Sequence, residues 1–299
     1  MNAAVEERHR LGTAIVYFLH VHKGGGSTLC SSAIANNERT TKQYENTDSG
    51  NPLDVHGVDH NCNVFWRVDG VPEKLGGRKA DSRLRGSALE QMEAADDLGR
   101  VCRRGAHLPP PKCGISFVAN ELELPPFGEF IVHVDRPWVY VAVVRDPLDL
   151  VLSDWMMQHN GAIPGPEAML EALESGCGHL VWLFCGVRYR RSGAESEERS
   201  ETGKARLAQA VSRLKHFSAV IDTSRAFDNG YSVLAHRLGW TREVNRAGTH
   251  NFACASQLPA FLEHSHVRAK ALAKYHHDIR FYHIASAFAA HQFRELAEK

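Results

Sequence analysis

No apolar run in this sequence approaches the roughly 18 residues needed to cross a bilayer, so no transmembrane helix is expected. The opening residues, MNAAVEERHRLG, are polar and lack the apolar centre of a signal peptide. As written, the chain is expected to be soluble, with a membrane anchor only if it is a fragment of something longer. An excess of charge of one sign is missing too. The 35 basic and 35 acidic residues cancel to a formal net charge of zero, which argues against a nucleic-acid binder acting through bulk charge and leaves a local basic pocket open. No two of the seven cysteines form a C-x-x-C pair, so a zinc ribbon is not indicated. Cys102 with Cys113 and Cys177 with Cys185 are spaced so that disulfides can form. Buried free thiols in a reducing compartment are the other reading, and an odd count leaves at least one thiol free. There is no internal repeat, and the usual phosphate-binding order, G-x-x-x-x-G-K-[ST], is absent.

What the sequence does contain is an ordinary globular balance, 43% apolar and 23% charged over 299 residues, enough to bury a substantial core. The apolar run at 14–22 reads as a buried parallel strand. Three glycines turn the chain, and Ser27 or Thr28 can cap a helix reaching about Asn36. A second apolar strand opens WVYVAVVRDPLDLVLSDWMMQ (138–158). There Asp146 sits at an N-cap position and Pro147 at the first helical residue, where proline is favoured. Residues 63–70 and a segment inside 108–130 suggest short strands, and 88–98 a helix. Helices are expected at 166–175, 179–187 and 204–217, a strand at 218–222, and a helix ended by Gly239. One long amphipathic helix is expected over roughly 266–297, and the charged stretch 188–206 reads as a surface loop. The whole is expected to be one α/β domain over 1–299, a parallel central sheet flanked by helices. It would hold a first strand–loop–helix unit at 12–36, a variable region at 37–130, a second such unit at 138–158 and a helical part at 204–299.

Ligands of parallel α/β sheets bind at the carboxyl ends of the strands, and both strand–turn–helix units place chemistry there. Backbone N–H groups of Gly24, Gly25, Gly26, Ser27 and Thr28 at a helix start make an anion site. Lys23 adds a point charge and the two hydroxyls add donors. Arg145 offers a planar fork for a second phosphate, and Ser153 can share that phosphate only if it lies along the helix flank. Two anion sites imply a ligand carrying phosphates at both ends.

FLHVHKGGGSTL (18–29) resembles the 5′-phosphosulfate loop of sulfotransferases, close to F-x-H-x-x-K-x-G-G-[ST]-[ST]-L. VYVAVVRDPLDLVLSDW (139–155) is similar to their 3′-phosphate motif, an apolar strand, R-D-P, and a serine eight residues after the arginine. LKHFSAVIDTSRAFDNGYSVLAHRLGW (214–240) and ALAKYHHDIRFYHIASAFA (271–289) resemble the later segments of Golgi carbohydrate sulfotransferases, with Asp278, Phe281 and Tyr282 in register. The resemblance implies a P-loop NTPase-like sulfotransferase fold. Its co-substrate would be 3′-phosphoadenosine 5′-phosphosulfate, with no metal required and a glycan as partner. Lys23 would stabilise the bridging oxygen as sulfate leaves, Gly24, Gly25, Gly26, Ser27 and Thr28 would hold the 5′-phosphosulfate, and Arg145 with Ser153 the 3′-phosphate. A Golgi lumen location would follow from the family if an anchor is missing from this chain.

The acceptor hydroxyl needs a general base. His107, in RRGAHLPPP, stands in a context like K-T-H-L-P of cytosolic sulfotransferases. GISFVANEL (114–122) can instead be laid on G-L-H-A-D-W-T-E-L of heparan sulfate 6-O-sulfotransferases. That puts Ser116 at the histidine position and keeps Glu121. His133 is a third candidate. Histidines 56, 60, 264, 266, 276 and 277 lie on scattered segments and are not assigned to a metal. The arginine-rich stretches 100–104 and 188–191 can face an anionic glycan or only solvent. Two rival readings remain: a small-molecule kinase, which would need magnesium and a strand-end carboxylate such as Asp135 or Asp222, and a nucleotide-binding relative without a base.

Overall fold

A computed structural model describes residues 2–12, 14–21, 24–38, 40, 116–120, 138–175, 180–185, 201–242 and 263–298. In chain order these form α1 (Asn2–Arg10), β1 (Ile15–Leu19), α2 (Gly26–Ala35), β2 (Phe117–Asn120), β3 (Trp138–Val144) and α3 (Pro147–Gln158). Then follow α4 (Pro166–Ser175), α5 (Leu180–Cys185), α6 (Glu201–Leu214), β4 (Phe217–Asp222), α7 (Phe227–Leu238), α8 (Ser265–Lys274) and α9 (His276–Ala297). The strands make one four-stranded sheet in the order β2-β1-β3-β4, parallel throughout, with Leu19 level with Asn120 on one side and with Ala142 on the other.

The strands are apolar along their length because both faces are covered. Tyr17, Leu19, Ala142, Val144 and Val220 face one core, closed by Phe184 of α5, Leu207 of α6 and Phe281 of α9. Val16, Phe18, Val141, Val143 and Ile221 face the other, closed by Leu29 of α2 and Leu234 of α7. α7 lies so close that a Cβ on Gly230 would stand 2.8 Å from the Ile221 Cα. A third cluster joins Leu152 of α3, Leu173 of α4 and Val267 of α8. Along β4, which has no strand on its outer side among the described residues, the Gln292 amide takes over the pairing. Val220 N donates to its Oε1 at 2.9 Å, and its Nε2 reaches the carbonyls of Phe217 and Ser218 at 3.2 Å.

Several expectations need correction. The N-cap of α2 is Gly25, in the left-handed region at φ 93°, and not Ser27 or Thr28, because the chain must reverse sharply after β1. The stretch expected at 266–297 as one helix breaks at Tyr275. α8 packs on α4 while α9 packs on the sheet, and the buried Tyr275 hydroxyl donates to Leu173 O at 3.1 Å, pinning the joint. α6 begins at Glu201, inside the segment read as loop, its first turn carrying the Lys204 to Glu201 ion pair. α1 was not foreseen. It is held by polar contacts: Arg237 Nη1 to Glu6 Oε1 at 2.9 Å and His9 Nε2 to Glu38 Oε1 at 3.1 Å. Cys185 is a free, buried thiol, so it does not pair with Cys177, whereas Cys30 is disulfide-bonded. The expected strand at 63–70, helix at 88–98 and pair of Cys102 with Cys113 lie outside the described residues, as do the arginine-rich stretches 100–104 and 188–191. No described helix is long and apolar enough to cross a membrane.

Candidate anion-binding and active site

β1 and β3 are neighbours, and the connections that leave them cover opposite faces. α2 lies on the Phe18 side, and α5 and α6, between β3 and β4, lie on the Tyr17 side. At such a divergence, open α/β sheets bind ligands in the crevice outside the carboxyl ends of the strands. The glycine turn and Arg145 are both at that end.

The turn is shaped by contacts that tolerate no side chain. Gly24 N donates to Val21 O at 2.8 Å, and a Cβ on Gly24 would lie 2.6 Å from Val21 Cγ2 and 3.2 Å from Val143 Cγ1 of β3. A Cβ on Gly26 would strike the His20 ring, 2.8 Å from Nδ1. That ring is 1% exposed, stacks on Phe18 at 5.0 Å and 17°, and has Nδ1 3.3 Å from Val21 O. No side chain caps α2. Its first backbone bond runs from Leu29 N to Gly25 O at 3.1 Å, so the amides of Gly26, Ser27 and Thr28 precede the helical ladder. They carry the positive end of the helix dipole. Thr28 is buried and Ser27 half-buried.

At the end of β3, Asp146 caps α3, accepting from Leu148 N at 2.9 Å, with Pro147 behind it as expected. Arg145, half-buried, turns back along α3 and donates from Nη1 to Ser153 Oγ at 3.2 Å. The flank geometry that a shared phosphate requires is therefore present. One helical turn before Ser153 lies Asp149, 3% exposed. Burial pushes its carboxyl above the usual range, opposed by a hydrogen bond from Ser224 and by the Arg145 charge.

The turn after β4 completes the crevice, and its contribution was not foreseen. Thr223 N donates to Val144 O at 3.0 Å, which carries the Thr223 methyl across the end of β3 to within 3.7 Å of where a Gly25 Cβ would be. Ser224 Oγ accepts from Asp146 N at 2.9 Å. Asp222 holds the turn. Its Oδ1 accepts from Ser224 N at 3.0 Å and Arg225 N at 3.2 Å, Tyr282 OH lies 3.2 Å from both oxygens, and Ser286 Oγ donates to Oδ2 at 2.5 Å. The signal was there to read: D-T-S-R directly after an apolar strand parallels R-D-P after β3.

Of the residues expected at the site, Gly24, Gly25, Gly26, Ser27, Thr28, Arg145 and Ser153 are described and lie at the carboxyl ends of β1 and β3. Lys23, His107, Glu121 and His133 lie outside the described residues. Ser116 is at the other end of the sheet. Its carbonyl accepts from Val16 N at 2.8 Å where β2 begins, and its hydroxyl bonds Glu38, which also accepts from Trp240 Nε1 at 2.8 Å. At about 3.3 Å per strand residue this is roughly 15 Å from the glycine turn. Laying GISFVANEL on the heparan-type motif therefore puts its histidine position far from the crevice. Asn120, which precedes Glu121, is level with the exit of β1. Asp278, Phe281 and Tyr282 are buried packing residues, and Asp278 accepts from Val181 N at 2.7 Å. Among the described residues no group of three or more His, Cys, Asp or Glu is arranged to hold a metal. Set against known protein families and curated proteins, the chain matches no family model and no curated protein.

Proposed function

We propose that the chain is a sulfotransferase with a P-loop NTPase-like fold, moving a sulfuryl group from 3′-phosphoadenosine 5′-phosphosulfate to a hydroxyl of a glycan, with an amine as the secondary acceptor. The observation that carries this reading is the pairing of Arg145 with Ser153 at 3.2 Å on the strand adjacent to an uncapped, glycine-turned helix start. Two anion sites on neighbouring strand ends suit a ligand phosphorylated at both the 5′ and 3′ positions. In the transfer, the acceptor oxygen bonds to sulfur as the base, His107 or Glu121, takes its proton. The bond between sulfur and the bridging oxygen breaks, and Lys23 stabilises the charge left on the departing 5′-phosphate. Donors preorganised in this way are each worth about 3 kcal/mol of barrier. The disulfide of Cys30 suits an oxidising lumen such as the Golgi.

A kinase would need a strand-end carboxylate open to magnesium. Asp222 stands at such an end, but both of its oxygens are engaged by Tyr282, with the turn amides and Ser286 adding further bonds, and this favours transfer without a metal. The test is incubation of the protein with sulfur-labelled 3′-phosphoadenosine 5′-phosphosulfate and a panel of desulfated glycans in the presence of a chelator. Label is expected in a glycan. Phosphoryl transfer from ATP that requires magnesium, with no sulfuryl transfer, would overturn the proposal in favour of the kinase.

A further inference from the structure

Asp149 has no part in the nucleotide reading, yet it is the most conspicuous charge at the site. It is 3% exposed, and its Oδ1 has no hydrogen-bond partner, a costly state for a buried carboxylate. Its contact is the Ser224 side chain. Ser224 Oγ already accepts from Asp146 N, so its single proton is the one given to Asp149. The chain Asp146 N–H to Ser224 to Asp149 thus ties the β4 turn to α3. Asp149 is also four residues before Ser153, on the same helical flank. Among the described residues, the charges acting on it are Arg145, Asp146 and Asp222. From α9, Tyr282 and Ser286 donate to Asp222, and the Arg225 guanidinium of the β4 turn lies over the Tyr282 ring at 5.4 Å.

We propose that Asp149 is a positioning residue that couples anion binding at Arg145 and Ser153 to the uptake of one proton. The proposal rests on the reading of that pair as an anion site. With the site empty, ionised Asp149 partly neutralises Arg145 and holds the guanidinium beside α3. A phosphate or sulfate on Arg145 adds like charge next to a carboxylate that burial has already made a poor anion. The proton goes to Oδ1, the oxygen without a partner, and Arg145 is released to the ligand in full. Because binding then takes up a proton, affinity rises as pH falls through the carboxyl's range in the filled site.

The test is calorimetric titration of adenosine 3′,5′-bisphosphate, without magnesium, between pH 6 and pH 8 in buffers of different ionisation heat. Wild type is compared with Asp149→Asn, which keeps the shape and removes the charge. The ligand's phosphates also titrate in this range and feel the same carboxylate, so the comparison is repeated with inorganic sulfate, which does not titrate there, to assign the proton to Asp149. Wild type is expected to take up close to one proton more per ligand than the variant. The variant is expected to bind more tightly than wild type at the upper end of this range, the gap narrowing as pH falls. Ser224→Ala, which removes the donor that favours the ionised form, is expected to move the proton uptake to higher pH. Equal proton counts and parallel affinity profiles would overturn the proposal, since a merely structural role lowers affinity or melting temperature alike at every pH. If neither protein binds the bisphosphate, the nucleotide reading fails. The sulfate comparison on the Arg145 and Ser153 pair then decides alone, and sulfate binding that is absent or indifferent to Asp149→Asn overturns the coupling.

Discussion

Arg145 and Ser153 are separated by eight residues and joined by a hydrogen bond of 3.2 Å from Nη1 to Oγ. The guanidinium stands just outside α3 and lies back along it, so its fork and the hydroxyl present one surface. On the proposed function, a phosphate there would receive a charge-assisted contact from Arg145 and a neutral one from Ser153. Ser153→Ala is therefore expected to weaken adenosine 3′,5′-bisphosphate by about 1 kcal/mol. Because the two side chains touch, the Arg145→Ala and Ser153→Ala losses are expected to fall short of additivity in a double-mutant cycle. Strict additivity in titrations would separate the two residues.

The glycine turn should be intolerant in a residue-specific way. Gly26→Ala drives a methyl into the His20 ring and is expected to abolish nucleotide binding, with partial recovery in Gly26→Ala combined with His20→Ala, where the ring is gone. Gly25→Ala forces a side chain into the left-handed region at φ 93°, a strain of about 1–2 kcal/mol that should appear as a lowered melting temperature. Recovery of the first by the second substitution, read by titration, distinguishes a local clash from general misfolding.

Asp222 organises the third strand end. Asp222→Ala leaves two turn amides and the hydroxyls of Tyr282 and Ser286 without their acceptor, and is expected to cost about 3 kcal/mol in chemical denaturation. Ser286→Ala removes one of these bonds and should cost about 1 kcal/mol. Magnesium is expected to change neither value.

Alkaline pH gives an independent check on the core. Burial lifts the Cys185 thiol from its ordinary 9.0 to about 11, and its Sγ donates to Arg206 O at 2.9 Å. The unfolded chain loses this proton first, so the contribution is fully present below pH 9.0, and stability falls as pH rises toward about 11. Cys185→Ala is expected to flatten that decline between pH 9 and 10 in melting curves. Tyr140, raised to about 12 by burial, keeps a residual slope. The native thiol should also resist alkylation at pH 8 until the protein unfolds.

The parts of the fold that were legible in the sequence are those set by local physics. β1 and β3 are continuous apolar runs because both faces are buried, and Asp146, Pro147 and Gly239 mark helix ends through their own backbone chemistry. The turns that carry residues 24–28 and Arg145 at the carboxyl ends of β1 and β3 were legible for the same reason, since glycines and a strand-ending arginine mark such turns locally. What escaped notice depends on long-range contact. The break at Tyr275 arises because α8 and α9 pack on different partners. The helix of α1 is fixed by Arg237 and Glu38, more than two hundred and about thirty residues away. The roles of His20, Asp149 and Thr223 follow from how close the turns come. Ser116, which the nine-letter alignment sets at the family's histidine position, stands where β2 begins, level with the start of β1, and that placement follows from strand pairing, which no local pattern carries.

The most direct test of the account is calorimetric titration of 3′-phosphoadenosine 5′-phosphate into wild type and Arg145→Ala without magnesium, alongside adenosine 5′-phosphate. Tight binding that Arg145→Ala weakens by about 2 kcal/mol, with the ligand lacking the 3′-phosphate bound no better by wild type than by the variant, is the predicted result. No binding, or equal affinity for the two nucleotides in wild type, would contradict the sulfotransferase reading.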